Sequence, residues 1–157
     1  MSLDITIPGF GRLQLDHLVS DYNGTLAVDG RLLPGVTERL HTLSQHLHIH
    51  VVTADTFGVA AGELAGLPVE LSILAPEGQA EAKRALALKL GADRVAAFGN
   101  GRNDRLLLRS AALGIALLQG EGAAFETLAS AHAVAPGATV ALDLLLHPRR
   151  LTATLRS

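Results

Sequence analysis

The residues best suited to chemistry begin with Asp21, which opens the segment Asp-Tyr-Asn-Gly-Thr-Leu directly after the short run 17–20. That run is typical of a buried strand, and α/β sheets keep their binding sites at the carboxyl ends of strands. A carboxylate placed there can act as a nucleophile or hold a metal ion. Gly24 lets the chain turn sharply and approach a bound phosphate closely. The same residue types also occur in ordinary turns, so this segment alone leaves both interpretations open.

A second polar segment, Gly-Asn-Gly-Arg-Asn-Asp over residues 99–104, follows the apolar run 95–98 and precedes a leucine-rich helical pattern. Together the two segments resemble the first and fourth motifs of the haloacid dehalogenase-like (HAD) superfamily, Asp-x-Asp-Gly-Thr and Gly-Asp-Gly-x-x-Asp. The chain departs from these motifs at two positions. It has Asn23 and Asn100 where most phosphatases of the superfamily carry aspartates.

The two intermediate motifs can be matched in the same order along the chain. Thr53 ends a strand pattern and resembles the hydroxyl residue of the second motif, which implies a hydrogen bond to a phosphoryl oxygen. Lys83 resembles the third-motif lysine, which implies that it neutralises negative charge at the reacting group. Lys89, the only other lysine, is expected to complement a helix carboxyl end. The resemblance covers residues 18–147. Within the superfamily it is most similar to the phosphorylation domain of P-type ATPases and their small soluble relatives.

The resemblance implies a Mg²⁺-dependent phosphohydrolase or phosphotransferase that works through an aspartyl-phosphate on Asp21. The implied catalytic residues are Asp21, Asn23, Thr53 and Lys83. The implied phosphate-binding residues are Tyr22, Gly24, Thr53, Ala54, Lys83 and Asn103. The implied Mg²⁺ ligands are Asp21, Asn23, Asn100 and Asp104.

The amide of Asn23 has no titratable proton, so we expect slow turnover, because losing general acid–base help typically costs about 10²- to 10⁴-fold in rate. The backbone carbonyl of Asn23 remains available to a metal ion. The alternative is a catalytically impaired protein that keeps the same fold as a binding or regulatory module. Retention of Asp21, Thr53, Lys83 and Asp104 favours the enzyme.

The alternation of short β-rich runs with helical patterns predicts a parallel sheet covered by helices on both faces. The expected fold is α/β, a Rossmann-like, doubly wound, three-layer α/β/α structure of the HAD type. The predicted strands span residues 17–21, 49–53, 71–74, 95–98, 114–117 and 131–134. The predicted helices span residues 35–46, 57–64, 78–90, 104–111, 123–129 and 139–146.

Smaller elements are predicted outside this alternation, all within one domain over residues 1–157. Residues 1–15 should form an N-terminal hairpin, and residues 148–157 a helical tail. Asp29-Gly30 should turn a short flap hairpin after the first core strand. Only 31 residues lie between Asn23 and Asp55, too few for a cap domain. We therefore expect an open, capless site, with a substrate that can be macromolecular or with a second copy covering the site.

Composition narrows the classes of protein further. No apolar run approaches the roughly 20 residues that span a bilayer, which predicts a cytoplasmic protein without a membrane part. A net charge of -2 and only five aromatic residues predict no preference for nucleic acid. The histidines at positions 46, 48 and 50 alternate as zinc ligands can, but a structural role is favoured because no carboxylate lies between them. Asp55 is expected to cap the following helix.

Overall fold

A computed structural model of the protein describes residues 1–55 and 58–157. The strands are β1 (Leu3–Ile7), β2 (Gly11–Leu15), β3 (His17–Asp21), β4 (Ala27–Val28), β5 (Arg31–Leu32), β6 (His48–Thr53), β7 (Glu70–Ile73), β8 (Val95–Gly99), β9 (Leu113–Leu117) and β10 (Ala133–Ala135). The α-helices are α1 (Val36–Leu43), α2 (Val59–Leu64), α3 (Gln79–Leu90), α4 (Arg105–Ser110), α5 (Phe125–Ser130), α6 (Ala138–Leu146) and α7 (Pro148–Leu155). Short 3-10 helices span Ala92–Arg94 and Arg102–Asp104.

Six parallel strands form the central sheet, in the order β10-β9-β8-β3-β6-β7. The chain builds outward from β3 through β6 and β7, then returns to the other side of β3 with β8, β9 and β10. The strand order therefore reverses beside β3, between β3 and β8. In open α/β sheets the crevice at such a reversal, outside the carboxyl ends of the strands, is where ligands bind.

Alternating side chains of the sheet pack into two separate cores. Leu18, Ile49 and Phe98 belong to the larger core, which also takes in buried residues of α1, α2, α6 and α7. Val19 and Ala97 belong to the smaller core, which is completed by residues of α3 and α4. Both faces are therefore covered, as the alternating sequence pattern predicts, and the fold is the expected three-layer α/β/α structure.

Two hairpins flank the first core strand. In the N-terminal hairpin, β1 pairs antiparallel with β2, and the buried side chains of both strands join the larger core. In the flap hairpin, β4 pairs with β5 through Asp29 (φ 53°) and Gly30 (φ 82°), the positive angles that a two-residue type I′ turn requires. The Tyr22 hydroxyl donates a 2.8 Å hydrogen bond to the Gly30 carbonyl, and the Leu32 N–H donates to Glu63 Oε1. The flap is thus fastened both to the core and to α2.

Element boundaries differ from the predictions where local hydrogen bonds compete with the helix. The first helix ends at Leu43 rather than residue 46. Beyond it, hydrogen bonds between residues three apart, such as that from the His46 N–H to the Leu43 carbonyl, replace the α-helical bonds between residues four apart. The helix predicted over 123–129 begins at Phe125, because the extended Ala124 donates its N–H to the Asn100 carbonyl.

Three other predicted elements are also described with different boundaries. The helix predicted from residue 57 is described from Val59, since Phe57 lies outside the described residues. The helix predicted over 104–111 is a 3-10 turn followed by α4. The last strand begins at Ala133 rather than residue 131.

Histidines gather at the amino edge of the sheet. His17 and His48 are paired across β3 and β6, and His17 Nδ1 lies 3.1 Å from Nε2 of the buried His50. His50 Nδ1 lies 3.5 Å from Glu70 Oε2. Burial lowers the pKa of His17 and of His50, and the neighbouring histidine rings lower both further. His48 and His50 therefore pack with His17 at this edge, in line with the structural role favoured for the histidines.

Across residues 1–55 and 58–157, no helix combines the length and apolar character needed to cross a bilayer.

Candidate active site

Asp21 is the last residue of the central strand β3 and lies at the reversal point of the sheet. It has the same parity along the strand as Val19, so its side chain lies on the face covered by α3 and α4. Asp21 is 8% exposed and lines a cavity at the carboxyl edge. The strand-end position predicted from sequence is therefore confirmed.

Lys83 reaches Asp21 from the buried side of α3. That side presents Ala80, Lys83 and Ala87, and the small alanines leave room for the lysine stem to run toward the sheet edge. Lys83 Nζ donates to Asp21 Oδ1 at 3.0 Å, to Asp104 Oδ1 at 2.8 Å and to Asn103 Oδ1 at 3.3 Å. All three ammonium protons are therefore directed at oxygens from two motifs.

Charge at this buried cluster is unbalanced, with two carboxylates facing one ammonium. Burial, followed by the nearby Asp104 carboxylate, raises the pKa of Asp21 to about 7, against the opposing effect of Lys83. Burial acts to lower the pKa of Lys83, but the carboxylates of Asp21 and Asp104 outweigh it and raise that pKa. The lysine is therefore held as a cation, and the cluster favours the arrival of further positive charge.

Asp104, for which the resemblance implies metal ligation, also makes contacts within the protein. It is fully buried, and its Oδ2 accepts 3.0 Å hydrogen bonds from the N–H groups of Asn100 and Gly101. Its Oδ1 accepts from Lys83. Both oxygens are engaged inside the protein, and Asp104 is not among the described residues that line the cavity. It shapes the loop after β8 and holds the lysine.

Asn100 is the polar residue of this loop that faces Asp21. Its Nδ2 donates 3.0 Å to the Gly122 carbonyl, which fixes the amide plane, while its Oδ1 lies 3.3 Å from Thr25 Oγ1. Thr25 Oγ1 is equally close to Asp21 Oδ2. A Cβ at Gly24 would collide with the Asn100 side chain, and Gly24 has a φ of 78°. Only glycine therefore lets the two motifs approach this closely.

Oxygen donors beside Asp21 suit a hard divalent cation. Within the described ranges, no group of three or more His, Asp or Glu side chains is arranged around a common metal position. Asp21 and the Asn100 amide oxygen nevertheless converge on Thr25, and Asn23 lines the same cavity. Mg²⁺ commonly binds through one or two carboxylates, keeping several waters, and takes further oxygens from substrate. The residues present fit such a site, with less negative charge than a second carboxylate would give.

The end of β6 supplies the next wall of the cavity. Thr53 and Ala54 line it, and Thr53 is 6% exposed. The Thr53 hydroxyl oxygen accepts from the Asp55 N–H at 3.3 Å, which leaves the hydroxyl proton to a ligand. Asp55 accepts from the N–H groups of Ala60 and Ala61 at the start of α2. Its predicted role as a helix cap is confirmed, although it also lines the cavity.

The cavity has a volume of about 570 Å³ and is bordered by the flap turn and by the loops after β3, β6, β8 and β9. The residues lining it are Asp21, Asn23, Asp29, Gly30, Thr53, Ala54, Asp55, Val59, Gln79, Asn100, Gly101, Asn103 and Glu121.

Two of the predicted phosphate-binding residues, Tyr22 and Gly24, also make contacts within the protein. The Gly24 N–H donates to the Ala27 carbonyl within the turn, so Gly24 contributes space rather than a free donor. The Tyr22 side chain is buried and points to the flap through its hydroxyl.

Gln119 is a functional candidate that sequence reasoning missed. Its Nε2 donates to the carbonyls of Gly24 (3.1 Å) and Thr25 (2.7 Å), and its Oε1 accepts from the Ala138 N–H at the start of α6. Gln119 therefore links the turn after Asp21 to the start of α6, a helix more than 100 residues further along the chain. Gln119 follows β9 by two residues, so the strand-end reasoning applied to Asp21 and Asn100 would have found it.

Sequence comparison finds two relatives of the chain in Methanocaldococcus jannaschii. It is 48% identical over 63 residues to uncharacterized protein MJ0073 of Methanocaldococcus jannaschii, a match that covers 40% of this chain and 68% of that protein. It is 44% identical over 39 residues to MJ0072 of the same organism, covering 25% of this chain and 89% of that protein. The chain belongs to the same protein family as MJ0073. No protein-family model matches it.

Solved structures identify the class of fold. The 3-deoxy-D-manno-octulosonate 8-phosphate phosphatase of Moraxella catarrhalis, determined with magnesium, phosphate and KDO, has a TM-score of 0.71 at 16% identity and covers 90% of this chain and 94% of its own. The cobalt-bound phosphatase of the same kind from Haemophilus influenzae has a TM-score of 0.70 at 12% identity, covering 91% and 94%. The fold is therefore the HAD-type, Rossmann-like α/β fold expected from the motifs.

Proposed function

We propose that the protein is a HAD-type phosphohydrolase or phosphotransferase that forms an aspartyl-phosphate on Asp21. The observation that carries this proposal is the buried Asp21 carboxylate, 3.0 Å from the Lys83 ammonium at the floor of an open cavity. A cation there offsets negative charge on both the nucleophile and the phosphoryl group, while Thr53 offers a hydroxyl donor. The phosphatases with the same fold support the proposal, and those bound to magnesium and cobalt support the use of a divalent cation.

The reaction would proceed in two transfers. An Asp21 oxygen forms a bond to phosphorus while the bond from phosphorus to the alcohol oxygen breaks, and the released alkoxide takes its proton from water. A water molecule, or an acceptor alcohol, then attacks the aspartyl-phosphate and restores the carboxylate. Asp21, the Asn23 carbonyl, the Asn100 amide oxygen and Asp104, the last directly or through a water, would hold Mg²⁺, which would supply positive charge to offset that of the phosphoryl group.

Slow turnover is part of the proposal. Asn23 cannot give a proton to the leaving alcohol or remove one from water, so the second transfer lacks a protein base. A long-lived phosphoenzyme is also what the resemblance to P-type ATPases implies, and we propose that closeness on the sequence of residues 99–116. A cytoplasmic location and a substrate that includes macromolecules are proposed on the absence of a long apolar run and on the open cavity.

Adduct formation with beryllium fluoride tests the proposal directly. With Mg²⁺ present, we expect the wild-type protein to form an aspartyl-fluoroberyllate adduct, visible by fluorine NMR, and Asp21→Asn to form none. Asp93→Asn, which removes the same charge before β8 at the opposite edge of the sheet, should retain it. If the wild-type protein gives neither the adduct nor hydrolysis of an aryl phosphate, the proposed activity is wrong.

The same experiment addresses a second candidate, a binding module without catalysis. The observation that favours it is the presence of amides at Asn23 and Asn100, which together remove two acids from the site. Retention of phosphate binding by a protein that forms no adduct would support this second function.

A further inference from the structure

Beyond Asp21, the cavity carries charge of one sign. The charged side chains that line it, among the residues the structure describes, are Asp21, Asp29, Asp55 and Glu121, with no lysine, arginine or histidine. Asp29 and Glu121 are exposed, which places them toward solvent, whereas Asp21 is buried at the floor. Three separate segments, the flap turn, the loop after β6 and the loop after β9, therefore each contribute one carboxylate around the opening.

A second cavity next to the first has a different charge pattern. It has a volume of about 510 Å³, and its charged lining residues are Arg102, Arg105 and Glu81. The two cavities share Gln79, Gly101 and Asn103, and a 3.0 Å hydrogen bond from Asn103 Nδ2 to Gln79 Oε1 closes the wall between them.

The arginines of the second cavity are also partly neutralised. Arg102 and Arg105 lie 3.2 and 3.7 Å from the Glu126 carboxylate. Lys83 lies beneath the floor and is committed to Asp21, Asp104 and Asn103. A substrate that extends away from the phosphoryl group within the first cavity therefore meets carboxylates and no cation.

The exclusively negative charge around the first cavity constrains the leaving group, which is the alcohol portion of a phosphate ester. If phosphorus must reach Asp21 at the floor, the alcohol portion of a phosphate ester extends past Asp29, Asp55 and Glu121. We propose, on the basis of the proposed function, that these carboxylates select phosphate esters whose alcohol carries a positive charge, such as a primary amine, and discriminate against alcohols that carry a carboxylate. The discrimination is electrostatic, so it weakens as salt screens the exposed groups.

Three small esters of similar size separate the effect of charge from that of shape. The substrates are 2-aminoethyl phosphate, 2-hydroxyethyl phosphate and phosphoglycolate, and the quantity compared is the ratio of kcat/KM for the cationic ester to that for the anionic ester. Intrinsic reactivity cancels when this ratio is compared between protein variants. The variants are Asp29→Asn, Glu121→Gln and the double variant, with Asp93→Asn as the matched control. Asp55 is left intact because it caps α2.

We expect each single substitution to lower the cation-to-anion ratio by about 2- to 5-fold, the range that exposed charge pairs give. The double variant should lower it by about tenfold if the separate segments act independently. The control should keep the wild-type ratio, and 0.5 M salt should reduce the difference between wild type and double variant.

The outcomes are distinguishable. An unchanged ratio in the double variant, with turnover retained, overturns the charge selection while leaving the aspartyl-phosphate intact. If the fluoroberyllate adduct forms but none of the esters turns over, their relative potency in blocking the adduct gives the same ratio, with the same expected and contrary results. If no adduct forms and no ester reacts, the proposed function is wrong and the charge selection is wrong with it.

Discussion

The two edges of the parallel sheet bury polar side chains in opposite ways. At the carboxyl edge, Lys83 donates hydrogen bonds to both Asp21 and Asp104, and these two side chains keep the lysine charged. At the amino edge, His17 and His50 bond ring to ring, and burial favours their neutral forms. A buried ion is tolerated where partners compensate its lost hydration, whereas at the amino edge the exposed Glu70 carboxylate, 3.5 Å from His50, does not outweigh burial and the neighbouring rings. Charge is thus kept at the edge where phosphoryl transfer would need it.

Replacing Lys83 removes the cation that distinguishes the carboxyl edge from the amino edge, and we expect it to have the largest effect on activity. In Lys83→Met, Asp21 and Asp104 face each other unpaired, so we expect loss of about 10³-fold in activity, the upper range for one charge-stabilising donor. The free energy of unfolding should fall by about 3 to 5 kcal/mol, as when one partner of a buried pair is removed. Phosphoenzyme assays and urea unfolding measure the two quantities.

The other lysine provides the matched control. Lys89 is exposed in the last turn of α3, so Lys89→Met should change neither activity nor stability by more than a few tenths of a kcal/mol, about the size of a helix-dipole interaction. Equal effects at the two positions would mean that the Lys83 network has no special role.

Asn23→Asp adds a carboxylate at the carboxyl edge and should therefore increase the difference in charge between the two edges of the sheet. Asn23→Asp gives the site a group that can protonate an alcohol and deprotonate water, and we expect turnover to rise by about 10²-fold. Asn23→Ser keeps a small polar side chain without an acid and should stay near wild type. Steady-state hydrolysis of an aryl phosphate compares them, and a rise in both variants would contradict the acid–base explanation.

Gln119 holds the turn after Asp21 in place, and its loss should have an intermediate effect. Gln119→Leu removes donors to two backbone carbonyls and the acceptor for the Ala138 N–H, each worth about 1 kcal/mol in a typical hydrogen bond. We expect kcat to fall by about tenfold with little change in KM. Gln119→Glu keeps the acceptor but loses the donors, so it should fall similarly; full activity in both would exclude a positioning role.

The smallest expected effect comes from the histidines at the amino edge, whose titration should make the free energy of unfolding depend on pH. The folded pKa values of His17 and His50 lie below the ordinary value, so the unfolded chain binds more protons as pH falls through about 6.5. Stability is therefore full above that pH and declines below it. Urea unfolding between pH 7 and 5 should show a shallower decline in His17→Gln than in wild type. His41→Gln, at an exposed position on α1, should keep the wild-type slope.

Sequence reasoning succeeded where a single strand or motif determines the outcome. The strand-end rule placed Asp21, Thr53 and Asn100 at one edge, because parallel strands end together whatever connects them. Asp29-Gly30 predicted the flap turn, since few residues other than this pair accept two positive φ angles.

The rest depended on contacts between distant segments. The sequence around Asp104 does not reveal the N–H groups and the ammonium that its oxygens accept from, and its predicted role as a metal ligand stays a prediction. Gln119 reaches carbonyls 94 and 95 positions away, and His17 meets His50 across 33 positions. Such pairings follow from strand order and register, which the one-dimensional pattern leaves open.

The hydrogen bonds that hold the flap couple its position to that of β3. Tyr22 follows Asp21 directly and holds the flap turn through its hydroxyl, while Glu63 holds the other arm. A displacement of the flap tip would therefore be transmitted through Tyr22 to the backbone beside Asp21. A partner that binds the flap would therefore be able to shift the position of Asp21.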